Sequence, residues 1–163
     1  MTLTAPEPLA GRHQIGEFVS GVASLDEWLK RRARGNQASG ASRTFVVCED
    51  LKVVGYYALA SGAVNVAAAP GRFRRNMPDP TPVVILGRLA VHNAHQGRGL
   101  DRALFGDASL RVLNAADAIG IRGILVQAIS EEAKSFYVAL GFEPSSLEPM
   151  TLMVTLADLR GAL

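Results

Sequence analysis

Val83-Val84-Ile85-Leu86-Gly87-Arg88-Leu89-Ala90-Val91, His92-Asn93-Ala94-His95 and Gln96-Gly97-Arg98-Gly99-Leu100-Asp101-Arg102-Ala103-Leu104-Phe105 form the continuous stretch whose reading decides the fold. Its first nine residues read as an apolar strand broken only by Gly87 and Arg88, and that glycine marks a candidate β-bulge. Its last part opens an amphipathic helix expected over Leu100–Ile119, with Gly120 as the stop. Between them, glycines at 97 and 99 let the backbone approach a ligand closely. A strand that enters a helix through such a turn presents unpaired N–H groups and the positive end of the helix dipole to an anion. The expected ligand is a diphosphate. The turn is not a P-loop, since it lacks Gly-Lys-Ser/Thr, and position 102 is Arg where a dinucleotide fingerprint needs Gly.

Working outward, Ser24 and Glu27 have the spacing of a capping box, which predicts a helix from there to about Arg34, stopping near Gly35-Asn36. Arg43–Glu49 and Val53–Ala60 are rich in β-branched, aromatic and apolar residues, and Glu49–Lys52 reads as the turn of a hairpin. Pro70–Pro82 reads as a loop. Beyond the long helix, Gly123–Ile129 is an expected strand. Ser130 is placed to cap a helix over Glu131–Leu140, terminated by Gly141. Met150–Thr155 is the last expected strand, followed by a short terminal helix. Strands that meander first and then alternate with helices imply an α/β fold, a mixed central sheet flanked by helices.

A chain of 163 residues suits one domain with a real core, and 48% hydrophobic against 20% charged residues excludes a disordered chain. The reading is of a single domain over residues 1–163. No signal peptide is read at Met1–Gly11, and no apolar run approaches the roughly 20 residues of a membrane helix. The lone Cys48 fits a reducing cytoplasm, the expected location, and its apolar run Phe45–Cys48 favours packing over reactivity. No Cys/His spacing suggests a metal. Charge is distributed unevenly. Residues 30–100 carry eleven Lys and Arg against three acids, whereas the segments on either side are acidic. Such a basic middle points to a polyanionic partner, although solvated helix charge explains many single clusters.

The order Gln96-x-x-Gly99-x-Asp101, with Phe136-Tyr137-Val138-Ala139-Leu140-Gly141-Phe142 further on, resembles the two signatures of the GNAT acetyltransferases. The resemblance covers roughly residues 20–155. Leu25-Asp26-Glu27-Trp28-Leu29, Asn36-Gln37, Ser42–Val46 and Leu86–Val91 are similar to the toxin branch of that family. The resemblance implies acetyl-CoA as co-substrate, held by Leu89, Ala90, Val91, Gln96, Gly97, Arg98, Gly99, Leu100 and Asp101. It implies transfer to the α-amine of aminoacyl-tRNA, which stops translation. It also implies a ribbon-helix-helix antitoxin as partner, a homodimer and no membrane association. Asp101 departs from the family pattern, which has Gly or Ala there. Its carboxylate would repel a diphosphate unless it turns away or pairs with Arg98 or Arg102.

Tyr137 is the implied general acid for the departing thiolate, against the plain alternative that it packs a helix. Backbone groups near Leu89–Val91 would polarise the carbonyl. No carboxylate lies on Val83–Val91 to act as base. A lysine amine, with a pKa of about 10.4, needs such help, whereas an α-amine near about 8 is largely neutral already. His92 and His95 read as surface or ligand-contact groups, with a proton shuttle as the alternative. Lys30, Arg31 and Arg34 on one helix, Arg72, Arg74 and Arg75 in the loop, and Arg88 are the candidate tRNA contacts. Trp28 reads as a core anchor. Two further functions stay open: a GNAT enzyme acting on a small amine or protein N-terminus, and a catalytically degenerate module that binds nucleic acid or antitoxin.

Overall fold

The hairpin expected around Glu49–Lys52 forms between β2 (Arg43–Glu49) and β3 (Lys52–Val64), paired antiparallel from Arg43↔Leu59 to Glu49↔Lys52. A two-residue strand, β1 (Glu7–Pro8), adds to the outer edge of β2. The computed structural model describes residues 2–162 and resolves them into two units. One comprises the chain up to Ala60 together with Gly87–Ala108; the other comprises Ser61–Leu86 and the chain from Ser109 onward.

In the first unit, α1 (Ala23–Arg31) and α2 (Ala33–Ser39) precede the hairpin. Leu25, Leu29 and Ala33 recur every four residues and are all buried, packing with Phe18, Val46 and Tyr56. The expected capping box does not form. The helix starts at Ala23, so Ser24 lies inside it, and the N-cap Val22 has no side-chain bond. Asp26 instead ties the preceding segment to the first turn, accepting from both the backbone N–H and the hydroxyl of Ser20. Nor does the chain stop at Gly35-Asn36. It breaks at Arg32, continues as α2, and ends at Gly40, whose φ of 83° supplies the left-handed cap.

The second unit holds α3 (Gly71–Arg74), a one-turn helix where a loop was expected. Phe73 is buried and Arg122 pins the turn, donating to the carbonyls of Phe73 and Arg72 at 2.8 Å each. β5 (Gly123–Gln127), α5 (Glu131–Ala139), β6 (Glu143–Pro144), β7 (Thr151–Thr155) and α6 (Leu156–Ala162) follow. Ser130 caps α5 as expected, accepting from the N–H of Ala133 at 3.0 Å. β5 pairs antiparallel with β7 over five residues, and Gly123 is required there. A Cβ would stand 1.9 Å from the carbonyl oxygen of Val154.

β3 and β4 (Thr81–Val91) pass through both units, and the seven strands take the order β1-β2-β3-β4-β5-β7-β6. Val84 and Ile85 pair in parallel with Ile124 and Leu125, so the sheet is mixed, as the α/β reading required. β4 is continuous from Thr81 to Val91 through Gly87, and a register shift lies in β2, between Val47 and Cys48. α4 (Leu100–Ala116) also spans the units and is three residues shorter than expected.

Candidate acyl-carrier site at the β4–α4 turn

Within the first unit, α4 begins directly over β3. The reason is Gly55: a Cβ at that position would stand 3.1 Å from Leu104 Cδ1 and 3.3 Å from Leu100 Cδ2. The missing side chain lets the first turn of the helix settle onto the strand, with Leu104 and Ala108 fully buried. The turn preceding the helix is tied down by Gln96. Its side-chain amide donates to the carbonyls of Ser20 at 2.7 Å and Val91 at 2.9 Å, satisfying both of its hydrogens. Gln96 therefore holds the turn, and its backbone N–H also meets a carbonyl, that of Asn93.

Gly97 and Gly99 have φ of 78° and 80°, a region that costs an L-residue roughly 1–2 kcal/mol. A Cβ at either position would meet nothing within 4 Å, so conformation demands these glycines and open space surrounds them. The N–H groups of residues 97–101 donate to no acceptor among the described residues. This run of free donors ends at Arg102, whose N–H is taken by the carboxylate of Asp101 at 2.8 Å. Asp101 has thus turned onto its own helix, and no ion pair with Arg98 or Arg102 is formed. A diphosphate fits this turn: its successive N–H groups are unpaired, and the helix dipole favours an anion there. On the strand side, Leu89 is half-buried while Ala90 and Val91 are buried, which fits an apolar seat for a pantetheine arm.

The histidines beside the turn divide. His92 is a tie: its Nδ1 accepts the N–H of Val19 at 3.0 Å, and its own N–H donates to Val54. His95 faces Glu49, 3.7 Å away, across a cavity of about 440 Å³ also lined by Leu3, Arg98, Gly99, Leu100 and Ala103. Sequence reasoning missed Glu49 and Leu3 here. An isolated bridge between Leu3 and Glu49, which no periodicity reveals, brings them together.

Tyr137 lies in the second unit, on α5. It is 9% exposed, and its ring meets Phe136 and Phe142 edge-on at 5.2 and 5.3 Å. The other tyrosines are committed elsewhere. Tyr56 donates to the carbonyl of Leu25 at 2.6 Å, and burial holds its phenol well above the ordinary value. Tyr57 donates to Asp107 at 2.5 Å. Cys48 is buried and its thiol is pushed up to about 11 by burial, which keeps it protonated.

The basic candidates are not equivalent. Arg31 pairs with Glu27 at 2.9 Å, Arg72 pairs with Asp158 at 3.2 Å, and Arg34 donates to the carbonyl of His13. Arg88 lies over the ring of Trp28, which is half-buried and packs against the core as its anchor role required. Lys30, Arg74 and Arg75 are the candidates with no such partner among the described residues. Among the described residues no helix is long and apolar enough to cross a membrane.

A mixed sheet that enters a helix through a turn of free N–H groups defines an α/β protein built to hold a phosphorylated carrier. The model of the acetyltransferase (GNAT) domain matches residues 40–144, and the chain belongs to that family. It is 51% identical over 157 residues to the tRNA-acetylating toxin of Mycobacterium tuberculosis (strain ATCC 25618 / H37Rv), covering 96% of this chain and 95% of that protein. AtaT complexed with acetyl-methionyl-tRNAfMet superposes with a TM-score of 0.90 at 29% identity, over 98% of each chain. A tyrosine-to-phenylalanine mutant of the AtaT toxin, bound to the C-terminus of the antitoxin AtaR and acetyl-CoA, gives 0.83 at 27% identity. That match covers 98% of this chain and 97% of the other.

Proposed function

We propose that this protein is an acetyl-CoA-dependent N-acetyltransferase that acetylates the α-amine of aminoacyl-tRNA, acting as the toxin of a toxin–antitoxin pair. The observation that carries the reading is the run of free N–H groups at residues 97–101, opened by two left-handed glycines. The likeness to a tRNA-acetylating toxin over nearly the whole chain supports the choice of acceptor.

Acetyl-CoA supplies an activated thioester. The N–H groups of Gly97, Arg98, Gly99, Leu100 and Asp101 hold its diphosphate, and Gln96 holds the turn that presents them. Leu89, Ala90 and Val91 seat the arm and orient the acyl group. Tyr137 delivers a proton to the departing sulfur. With no carboxylate on β4, the acceptor must arrive largely neutral, which suits an α-amine whose ester neighbour withdraws electrons. Lys30, Arg74 and Arg75 offer the unpaired charge for the tRNA backbone, with Arg31, Arg34 and Arg72 reaching it by exchanging their present partners. A single catalytic domain over residues 1–163, a cytoplasmic location, a homodimer and a ribbon-helix-helix antitoxin complete the reading.

The test is incubation with labelled acetyl-CoA and a total pool of charged tRNAs, followed by mild base release. Mass spectrometry should identify one or a few N-acetyl amino acids. Intact acetyl-CoA binding without transfer to any aminoacyl-tRNA would overturn the choice of acceptor.

A further inference from the structure

Arg88 is a half-buried cation that no carboxylate neutralises among the described residues. Its Cζ lies 5.3 Å from the centroid of the Trp28 ring. Trp28 in turn stacks on Tyr56 at 6.0 Å, with only 6° between the planes. Tyr56 is fully buried, braced edge-on by Phe18 and fastened through its hydroxyl to Leu25. The result is a column of three flat groups that rises from the core of the first unit and ends in a guanidinium.

Such a column is an odd way to satisfy a charge. The indole attracts the guanidinium through its π face but accepts none of its N–H bonds. One nitrogen donates to the carbonyl of Gly87, the preceding residue, at 2.7 Å. The remaining N–H donors meet no acceptor among the described residues, and an unpaired, half-buried charge costs free energy. A planar fork held by a cation–π contact, with donors to spare, matches a phosphate or carboxylate in bidentate geometry.

Position identifies which anion. Arg88 immediately precedes Leu89–Val91, the segment assigned above to the acyl arm, and strand residues advance about 3.3 Å each. The diphosphate of the carrier is accounted for by the separate turn at residues 97–101. In an aminoacyl nucleotide, one ribose and one ester separate the α-amine from that nucleotide's own 5′ phosphate. An amine brought to the acyl group leaves that phosphate within reach of a long side chain one residue upstream. We propose that Arg88, held against the Trp28 ring, grips the phosphodiester of the terminal, amino-acid-bearing nucleotide and sets the position of the attacking amine. Trp28 is the positioning residue and Arg88 the specificity-determining one. This inference rests on the aminoacyl-tRNA reading.

The experiment compares two acceptors: an aminoacyl trinucleotide of the tRNA 3′ end, and the same aminoacyl group on a bare adenosine without phosphate. Arg88→Lys keeps the charge but loses the fork and the stack. It should reduce kcat/KM on the trinucleotide about 10- to 100-fold and leave the nucleoside rate and the acetyl-CoA affinity unchanged. Trp28→Phe should fall between wild type and Arg88→Lys on the trinucleotide only. Trp28 is the chain's only tryptophan, so its emission reports the site directly. The unacylated trinucleotide should change that emission in the wild type and much less in Arg88→Gln. Equal losses on both acceptors, no loss on either, or weakened acetyl-CoA binding would each overturn the phosphate grip. If the wild type acetylates neither acceptor nor aminoacyl-tRNA, the functional reading itself fails, which is distinct from a failure confined to the variants.

Discussion

The carboxylate of Asp101 accepts the backbone N–H of Arg102, 2.8 Å away, within the first turn of α4. This contact removes one donor from the end of the run that faces the proposed diphosphate, and it leaves a negative charge beside it. The same contact steadies the helix, because an acid in the first turn complements the dipole. Affinity and stability are therefore opposed at this residue. Asp101→Ala should tighten acetyl-CoA about 3- to 10-fold in calorimetry while lowering stability by roughly 0.5–1 kcal/mol. Unchanged affinity would mean that the ligand never senses this carboxylate.

Gly97 and Gly99 are demanded by their positive φ rather than by crowding. Alanine at either position should cost roughly 1–2 kcal/mol if the turn is kept, or else the turn should relax and lose its aim. In both cases acetyl-CoA binding should drop well beyond the change in melting temperature. Gly123 provides the contrast. Gly123→Ala would drive a methyl group into the backbone of Val154, so the expected outcome is general destabilisation, seen in denaturant melts.

Tyr137→Phe keeps the ring that packs against Phe136 and Phe142. Stability and acetyl-CoA affinity should therefore survive. Loss of the proton donor should lower kcat by about 10²- to 10⁴-fold. An unchanged rate would return Tyr137 to a packing role.

Cys48 should stay unmodified by thiol reagents at pH 8 until the chain unfolds. Its thiol is buried and, at about 11, overwhelmingly protonated there. Rapid native-state labelling would contradict that burial.

The N-terminal edge should respond to acid. Hydrogen bonding from His13 and the nearby Arg12 guanidinium lower the Glu7 carboxyl below its ordinary value of about 4.5. A depressed acid contributes stability above its unfolded pKa and loses it as pH falls through the folded one. Melts below pH 4.5 should thus show a loss that Glu7→Gln lacks, because the glutamine variant has no proton to take up.

Local pattern was enough to read the hairpin, the turn at 96–101, the Ser130 cap and the alternation that implied a mixed α/β sheet. Those features depend on neighbours in the chain: β-branched runs, glycines at forced φ, and a hydroxyl three residues before the N–H that donates to it. Two signatures in the right order were enough to suggest the family before any geometry was known. Local pattern misread the start of α1, because Ser24 had the right spacing, whereas Asp26 had the better partner in Ser20. Only the tertiary structure decided which cations remain free. Arg34 meets the carbonyl of His13, and Arg88 meets the ring of Trp28. Those partners lie 21 and 60 positions away in the chain, a separation that no window of sequence spans. The same holds for Gly55, whose lack of a side chain seats α4 on its strand. Periodicity reports which face of an element is buried; chain folding alone decides what that face meets.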